Sequence, residues 1–306
     1  THHIRTKITH HVSHYPSQQR TADFPVGKFN LYSRGGLSFE ELDALEKEYC
    51  YLAEILIRDC AIKSKDVVIP IISVSKMLSG KIGALDYFAD NGRVLEASGT
   101  FMLTVTELDL YWLRRLYDFG ECYVGRVYVS KRGKLPKFMI DSVNRFFFGK
   151  CDIKEKVEKE NDPLKKIELK IDLMKSKNSL NGIYGMSATQ IVRESFTVTE
   201  NGEWEKVKVD NVGKAIDDYY KSENSFMRYE WGVWTTANAR AELLHYIYDI
   251  IIPNGGEFLY CDTDSAFYVT NEKVEQAIEE ENARLRAIAD EQGYYIETES
   301  GKRYYY

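Results

Sequence analysis

The chain has 306 residues, 44% of them hydrophobic and 29% charged, with a formal net charge of −6. That length and balance describe a globular chain of one large domain or two ordinary ones, and they exclude a disordered or fibrous protein. No apolar run reaches the roughly 20 residues that cross a bilayer, and five scattered cysteines without a C-x-x-C pair suit reduced thiols rather than a disulfide framework. The acidic total argues against a uniformly basic nucleic-acid binder, but local clusters of Lys and Arg count for more than their sum. The chain starts at Thr1 with no apolar signal segment and reads as a piece of a longer polypeptide.

Taken in order, a helix is expected from Ser38, with Glu40 and Glu41 in its first turn and an apolar stripe through Leu42, Leu45, Leu52, Ile55 and Leu56. Val67–Val74 reads as a buried strand. Residues 86–147 read as an α+β unit, with a strand at Phe101–Leu108, a helix at Asp109–Tyr117 and an alternating strand at Cys122–Val129. Asp162-Pro163 opens one long helix reaching Ala188. A polar segment, Thr189–Ser225, carries the hairpin signal Asn201-Gly202. A helix over Thr235–Ile251 then leads through Pro253-Asn254-Gly255-Gly256 into a strand at Glu257–Tyr260, and a second strand follows at Ser265–Val269. The fold class is α+β: a mixed or antiparallel sheet with helices, interrupted by insertions.

The sharpest chemical signal is the turn between those last two strands, where Asp262 and Asp264 stand two residues apart. Two crowded carboxylates repel one another unless a cation sits between them, and hard oxygen donors suit Mg²⁺. A solvated β-turn accounts for a bare D-x-D, since Asp is a common turn residue. The full string Tyr260-Cys261-Asp262-Thr263-Asp264-Ser265 reverses that preference. It resembles the YxDTDS palm motif of family B DNA polymerases. The resemblance implies nucleotidyl transfer with two Mg²⁺ ions, Asp264 as the direct ligand and Asp262 in support.

On the long helix, Lys166, Lys170, Lys177, Asn181 and Tyr184 project within roughly a 60° arc. A charged solvated face is the ordinary explanation for lysines on a helix, but here the stripe runs on into Asn181-Gly182-Ile183-Tyr184-Gly185. Lys177-x-x-x-Asn181-Gly182-x-Tyr184-Gly185 resembles the KxxxNSxYG fingers motif of the same family, with Gly182 in place of Ser. By that resemblance Lys177 holds the triphosphate and shields charge developing in transfer, Asn181 and Tyr184 line the nascent base pair, and Gly185 admits template backbone. A second fingers lysine has three candidates: Lys166 and Lys170 fit by helical phase, Lys150 by local context.

Near the start, His10-His11-Val12-Ser13-His14-Tyr15-Pro16-Ser17 resembles the family's D-x-x-S-x-Y-P-S motif. It implies that Tyr15 stacks under the deoxyribose and excludes a 2′-hydroxyl, Ser13 contacts phosphate, and the His11 backbone carbonyl completes a metal shell. His10 occupies the position of the motif Asp, and imidazole is a poor ligand for Mg²⁺. Three readings follow: a catalytically silent protein, one that works with Mn²⁺, or a position that is natively Asp, one base change away. As zinc ligands, His2, His3, His10, His11 and His14 lack any nearby cysteine or acid, and a solvated or partly stacked cluster is the plainer account.

Two further stretches fit. Trp231–Arg240 resembles the palm helix that precedes the acidic turn in protein-primed polymerases, and Lys302-Arg303-Tyr304 resembles the KxY element, in which Lys302 and Tyr304 grip the primer strand. The chain is therefore identified by resemblance with the protein-primed phage (phi29-like) type of family B polymerases. That implies palm at 1–85 and 229–306, helical fingers at 148–190, and two inserted subdomains at 86–147 and 191–228, with an exonuclease domain before residue 1 and a thumb after residue 306. It also implies DNA template and primer, dNTPs and a terminal priming protein as partners, no membrane, and action in the cytoplasm of a host cell. The alternative, favoured by His10, is a polymerase-shaped module that binds nucleic acid or a priming protein without catalysis. A reverse transcriptase fits less well, because its acidic turn reads YxDD and it lacks the Asn181–Gly185 pattern.

Overall fold

Between Tyr51 and Ile57 every second side chain is buried, Tyr51, Ala53, Ile55 and Ile57 all lying at 1% exposure or less. That is the period of a strand packed on one face. The computed structural model describes residues 6–10, 14–189, 191–192, 195–207, 209, 211–222 and 228–306, the side chain of His10 excepted. The elements begin with β1 (Thr6–His10), α1 (His14–Thr21), β2 (Phe24–Pro25), β3 (Asn30–Ser33), α2 (Phe39–Leu45) and β4 (Tyr49–Ile62). There follow α3 (Val74–Ser79), β5 (Lys81–Asp90), β6 (Arg93–Thr106), α4 (Glu107–Leu116), β7 (Tyr117–Gly133), α5 (Lys137–Lys159) and α6 (Pro163–Ser187). The remainder comprises β8 (Ser195–Val198), β9 (Trp204–Val207), α7 (Val212–Lys221), α8 (Tyr229–His245), β10 (Glu257–Asp262), β11 (Ser265–Val269), α9 (Glu272–Gln292), β12 (Tyr295–Glu297) and β13 (Arg303–Tyr305).

The fold is α+β with antiparallel sheets. The larger sheet runs β2-β7-β4-β6-β5, with β3 also on β7, and the smaller runs β1-β11-β10. The strand β4 lies in one sheet with β5, β6 and β7, so this sheet draws on residues both before and after position 86. The hairpin β8–β9 turns at Thr199–Glu203, with Gly202 at φ +81°, as Asn201-Gly202 predicts.

Two expected elements are corrected. The helix beginning at Ser38 has the capping box its sequence promises, Ser38 with Glu41, but it ends at Leu45. Leu52, Ile55 and Leu56 belong to β4. Val67–Val74 is not a strand: Val67 and Ile72 are buried, but Pro70 cannot donate to a ladder and the chain runs irregularly until α3. Tyrosine hydroxyls serve its backbone instead, the Ile69 N–H donating to Tyr248 at 2.9 Å. The helix expected from Thr235 starts earlier, at Tyr229, and Tyr246–Ile251 winds as a π-helical turn. The helices α5 and α9 are additions to the sequence reading.

Two clusters position the site. Leu243, Ile247 and Ile251 pack on Ala266 and Tyr268, fixing α8 and its π-turn beneath the small sheet. Phe147 and Cys151 of α5, Leu180 and Ile183 of α6, and Trp231 and Trp234 of α8 share another core, which clamps the α5–α6 pair to α8. No described helix is long and apolar enough to cross a membrane, and all five cysteines are unbridged.

Candidate functional site

The acidic turn closes the β10–β11 hairpin, where Asp262 pairs with Ser265. Thr263 takes φ +47°, a left-handed conformation that costs a β-branched residue on the order of 1–3 kcal/mol. Local bonds hold it: the Asp264 N–H donates to the Asp262 carbonyl, and the Thr263 hydroxyl donates to Asp262 Oδ1 at 3.0 Å. The Ser265 hydroxyl adds a bond to the Asp262 carbonyl at 3.0 Å. Asp262 is exposed and Asp264 half-buried. On the other side of β11, β1 places His10 opposite Ser265, so the backbone of position 10 runs on the strand beside the turn.

A cavity of about 460 Å³ opens next to Asp264. Helix α1 contributes Tyr15, α5 contributes Lys150, and α6 contributes Lys177, Asn181 and Tyr184. The Tyr15 and Tyr184 rings are in contact, with centroids 4.2 Å apart. Burial raises the pKa of the Tyr15 phenol; Arg240 opposes the rise, while Asp264 and Asp262 add to it. Burial likewise lowers the pKa of the Lys150 ammonium, and the positive charges of Lys177 and Lys154 push the same way. Two cations and an amide therefore face the Asp264 carboxylate across a nucleotide-sized space, with Asp262 next to it on the turn. An anionic ligand relieves the repulsion between the lysines, and a divalent cation relieves that between the aspartates.

The structure divides the other predicted residues. Lys166 and Lys170 do not line the cavity; Lys166 lies about 16 Å up the helix from Lys177, where its ammonium donates to the Glu160 carbonyl at 3.2 Å. Lys150 takes the place that helical phase gave them, because α5 packs alongside α6. Its spacing of buried Met139, Val143, Phe147 and Cys151 every four residues was the available signal for that helix. Gly185 and Gly182 have open space where a Cβ would stand. Lys302 and Tyr304 lie on and beside β13, away from the cavity, with the ammonium 4.8 Å from the ring centre. Ser13, His11, His2 and His3 fall outside the described residues. His14 is 3% exposed, packed rather than solvated, with its ring between the turn and α8.

No protein-family model matches the chain, and no curated protein matches it in sequence. Solved structures do. Phi29 DNA polymerase in an orthorhombic crystal form is similar at TM-score 0.55 and 18% identity, over 87% of this chain and 39% of the polymerase. The same polymerase complexed with primer-template DNA and incoming nucleotide gives 0.54, and complexed with single-stranded DNA 0.56, both at 18% identity. The chain has a DNA-polymerase-like fold. It spans about two fifths of the length of that polymerase, and the likeness is one of fold.

Among the described residues, no three or more His, Cys, Asp or Glu side chains gather as a metal site. The donors at hand are the two turn carboxylates. Their hard oxygens suit one Mg²⁺ or Mn²⁺ ion. A second ion needs another anionic oxygen, and position 10 carries histidine.

Proposed function

We propose that this chain is the palm and fingers of a family B-type, template-directed DNA polymerase, which joins dNTPs to a primer 3′-hydroxyl or to the hydroxyl of a priming protein. The cavity carries this reading, because it brings Asp264 together with Tyr15, Lys150, Lys177, Asn181 and Tyr184 from four separate elements. Lys177 and Lys150 bind the triphosphate and stabilise charge as the α-phosphorus–oxygen bond to pyrophosphate breaks. Asn181 and Tyr184 bound the nascent base pair, and Tyr15 lies where a sugar would rest. Asp264, supported by Asp262, would hold a divalent cation, which supplies Lewis-acid activation of the primer oxygen when bound.

In this reading residues 1–85 and 229–306 are palm, 148–190 fingers, and 86–147 and 191–228 the two insertions. Ser13 and the His11 carbonyl serve phosphate and metal, and Gly185, Lys302 and Tyr304 contact template and primer. DNA, dNTPs and a terminal protein are the partners, in a phage-infected host cytoplasm. Primer extension by the full-length protein with Mg²⁺ and then Mn²⁺ tests it. Template-directed incorporation supports the enzyme. DNA binding without incorporation under either metal favours the second reading, a polymerase-shaped binding module, for which His10 is the specific ground.

A further inference from the structure

The buried ring of His14 joins three elements. Its Nδ1 lies 3.2 Å from the carbonyl oxygen of Thr263, and its Nε2 lies 3.2 Å from Oε2 of Glu242 on α8. The Gln18 amide donates to that same carboxylate oxygen. A carbonyl only accepts hydrogen bonds, so Nδ1 must carry a proton for this contact. Nε2 then either donates to the Glu242 carboxylate or accepts from its protonated form, and in both states Nδ1–H points at the turn.

The carbonyl it meets belongs to the peptide that links Thr263 to Asp264. The N–H of that peptide donates to the Asp262 carbonyl. Thr263 is held at φ +47°, a conformation that persists where the surroundings over-determine it. A donor on the carbonyl side of the peptide fixes its plane, and with it the direction in which Asp264 leaves the turn. Tyr15, next along α1, lines the same cavity as Asp264, so one bond sets the spacing of both.

We propose that His14 is a positioning residue: its Nδ1–H holds the Thr263–Asp264 peptide so that Asp264 faces the cavity, while Glu242 orients the imidazole from behind. The catalytic consequence rests on the nucleotidyl-transfer reading; the geometric one does not. A ligand-orienting partner of this kind is commonly worth 10–100-fold in metal affinity or activity.

Three variants separate the contacts. His14→Leu keeps bulk and removes both bonds. His14→Asn places an amide N–H near Nδ1 and restores the bond to Thr263. His14→Gln reaches instead toward the Nε2 position and Glu242. The expected result is faster amide exchange at Asp264 in the Leu and Gln variants, at least tenfold, with the Asn variant within threefold of the parent. Half-saturating Mn²⁺, followed by electron paramagnetic resonance, should rise about tenfold in Leu and Gln and recover in Asn. Where extension is measurable, kcat should follow the same order, while KM for dNTP, set by Lys150 and Lys177, moves less than threefold. Unchanged exchange at the turn in His14→Leu overturns the positioning role whatever the activity. If the Leu variant does not fold, equal exchange in Asn and Gln overturns it. A parent protein without extension sinks the function reading alone, since the exchange comparison needs neither metal nor substrate.

Discussion

The ring of Tyr15 rests against that of Tyr184, with centroids 4.2 Å apart and planes inclined by 33°. One ring comes from the short helix beside the acidic turn, the other from the long helix that carries Lys177. The contact closes one side of the cavity, where a sugar attached to a triphosphate on Lys177 would lie. Tyr15→Val opens that wall. Relative incorporation of a ribonucleotide over its deoxy counterpart should rise at least tenfold in a competition assay, and an unchanged ratio removes Tyr15 from sugar selection. Because burial raises the phenol's pKa, the hydroxyl stays neutral through the alkaline range, so selection should not change with pH below about 10.

Lys150 and Lys177 face one cavity, whereas Lys166 and Lys170 lie outside it. Lys150→Ala and Lys177→Ala should each lower dNTP incorporation by about 10²–10³, with DNA affinity much less affected. Lys166→Ala and Lys170→Ala should stay near the parent rate. The lowered pKa of Lys150 means its charge is present below the folded value and is lost as pH rises through it, earlier than for an ordinary lysine. KM for dNTP should therefore climb on the alkaline side, and Lys150→Arg should shift that limb upward. A KM profile identical in the Arg variant rules out Lys150 as the titrating group.

Glu107 is 1% exposed and binds three elements together. It accepts from the Tyr51 N–H at 3.1 Å, from Trp234 Nε1 at 2.9 Å and from Arg132 at 2.9 Å. Removing the carboxylate leaves two N–H groups without their acceptor and the Arg132 charge with only the Tyr49 carbonyl. Glu107→Ala should cost about 3–5 kcal/mol in urea unfolding, and Glu107→Gln, which keeps an acceptor, noticeably less. Equal losses in the two variants would assign the cost to the lost negative charge opposite Arg132, since glutamine fills the same space and keeps an acceptor.

Glu155 of α5 accepts from Ser300 at 2.6 Å and Thr298 at 2.8 Å, tying the β12–β13 hairpin to the α5–α6 pair. Those hydroxyls, Ser300 first, pull its pKa down to about 2. A depressed folded value stabilises above the unfolded one, near 4.3, and the stabilisation is lost as pH falls from there toward 2. Backbone protection in residues 295–305, measured as exchange relative to the intrinsic rate at each pH, should fall across that window in the parent. Glu155→Gln should exchange faster at neutral pH and show a flatter pH response; an unchanged profile would place the acid sensitivity elsewhere.

The acidic hairpin was legible in the sequence because its determinants are local: two strands, an Asp-Thr-Asp turn and Gly255-Gly256 before it. Helix α6 was legible for the same reason, through the Asp162 cap and Pro163. Strand β4 was misread because Leu52, Ile55 and Leu56 fit a helical stripe as well as a strand; only pairing with β6 and β7 selects the alternation seen at Tyr51, Ala53 and Ile57. Helical phase placed lysines on a face of α6, but which cation joins Lys177 depends on how α5 packs. The His14 contact lies 249 residues away along the chain from Thr263, and nothing local announces it.

Strand β1 sets position 10 opposite Ser265, which is itself opposite Asp262. Directly opposed residues on neighbouring strands share a face of the sheet, so the register puts position 10 in one row with Ser265 and Asp262, roughly 10 Å across two strand spacings. An aspartate there adds a third carboxylate to a site with two, and the consequences have opposite signs with and without metal. Without a divalent ion, like charges repel and His10→Asp should melt at a lower temperature than the parent. With one, the added oxygen donor binds a hard cation far better than imidazole does, so Mg²⁺ should raise the melting temperature of the Asp variant more than that of the parent. Mg²⁺-dependent primer extension should appear or rise at least tenfold, since a carboxylate beside two divalent ions meets strong, poorly screened attraction. Melting in EDTA and in Mg²⁺ and extension with Mg²⁺ and Mn²⁺, for both versions of the full-length protein, give the outcome. Equal Mg²⁺ shifts and equal extension would mean that another group already supplies the missing oxygen. If both versions fold and bind DNA yet neither extends a primer, position 10 is not what silences the site, and the binding-module reading stands.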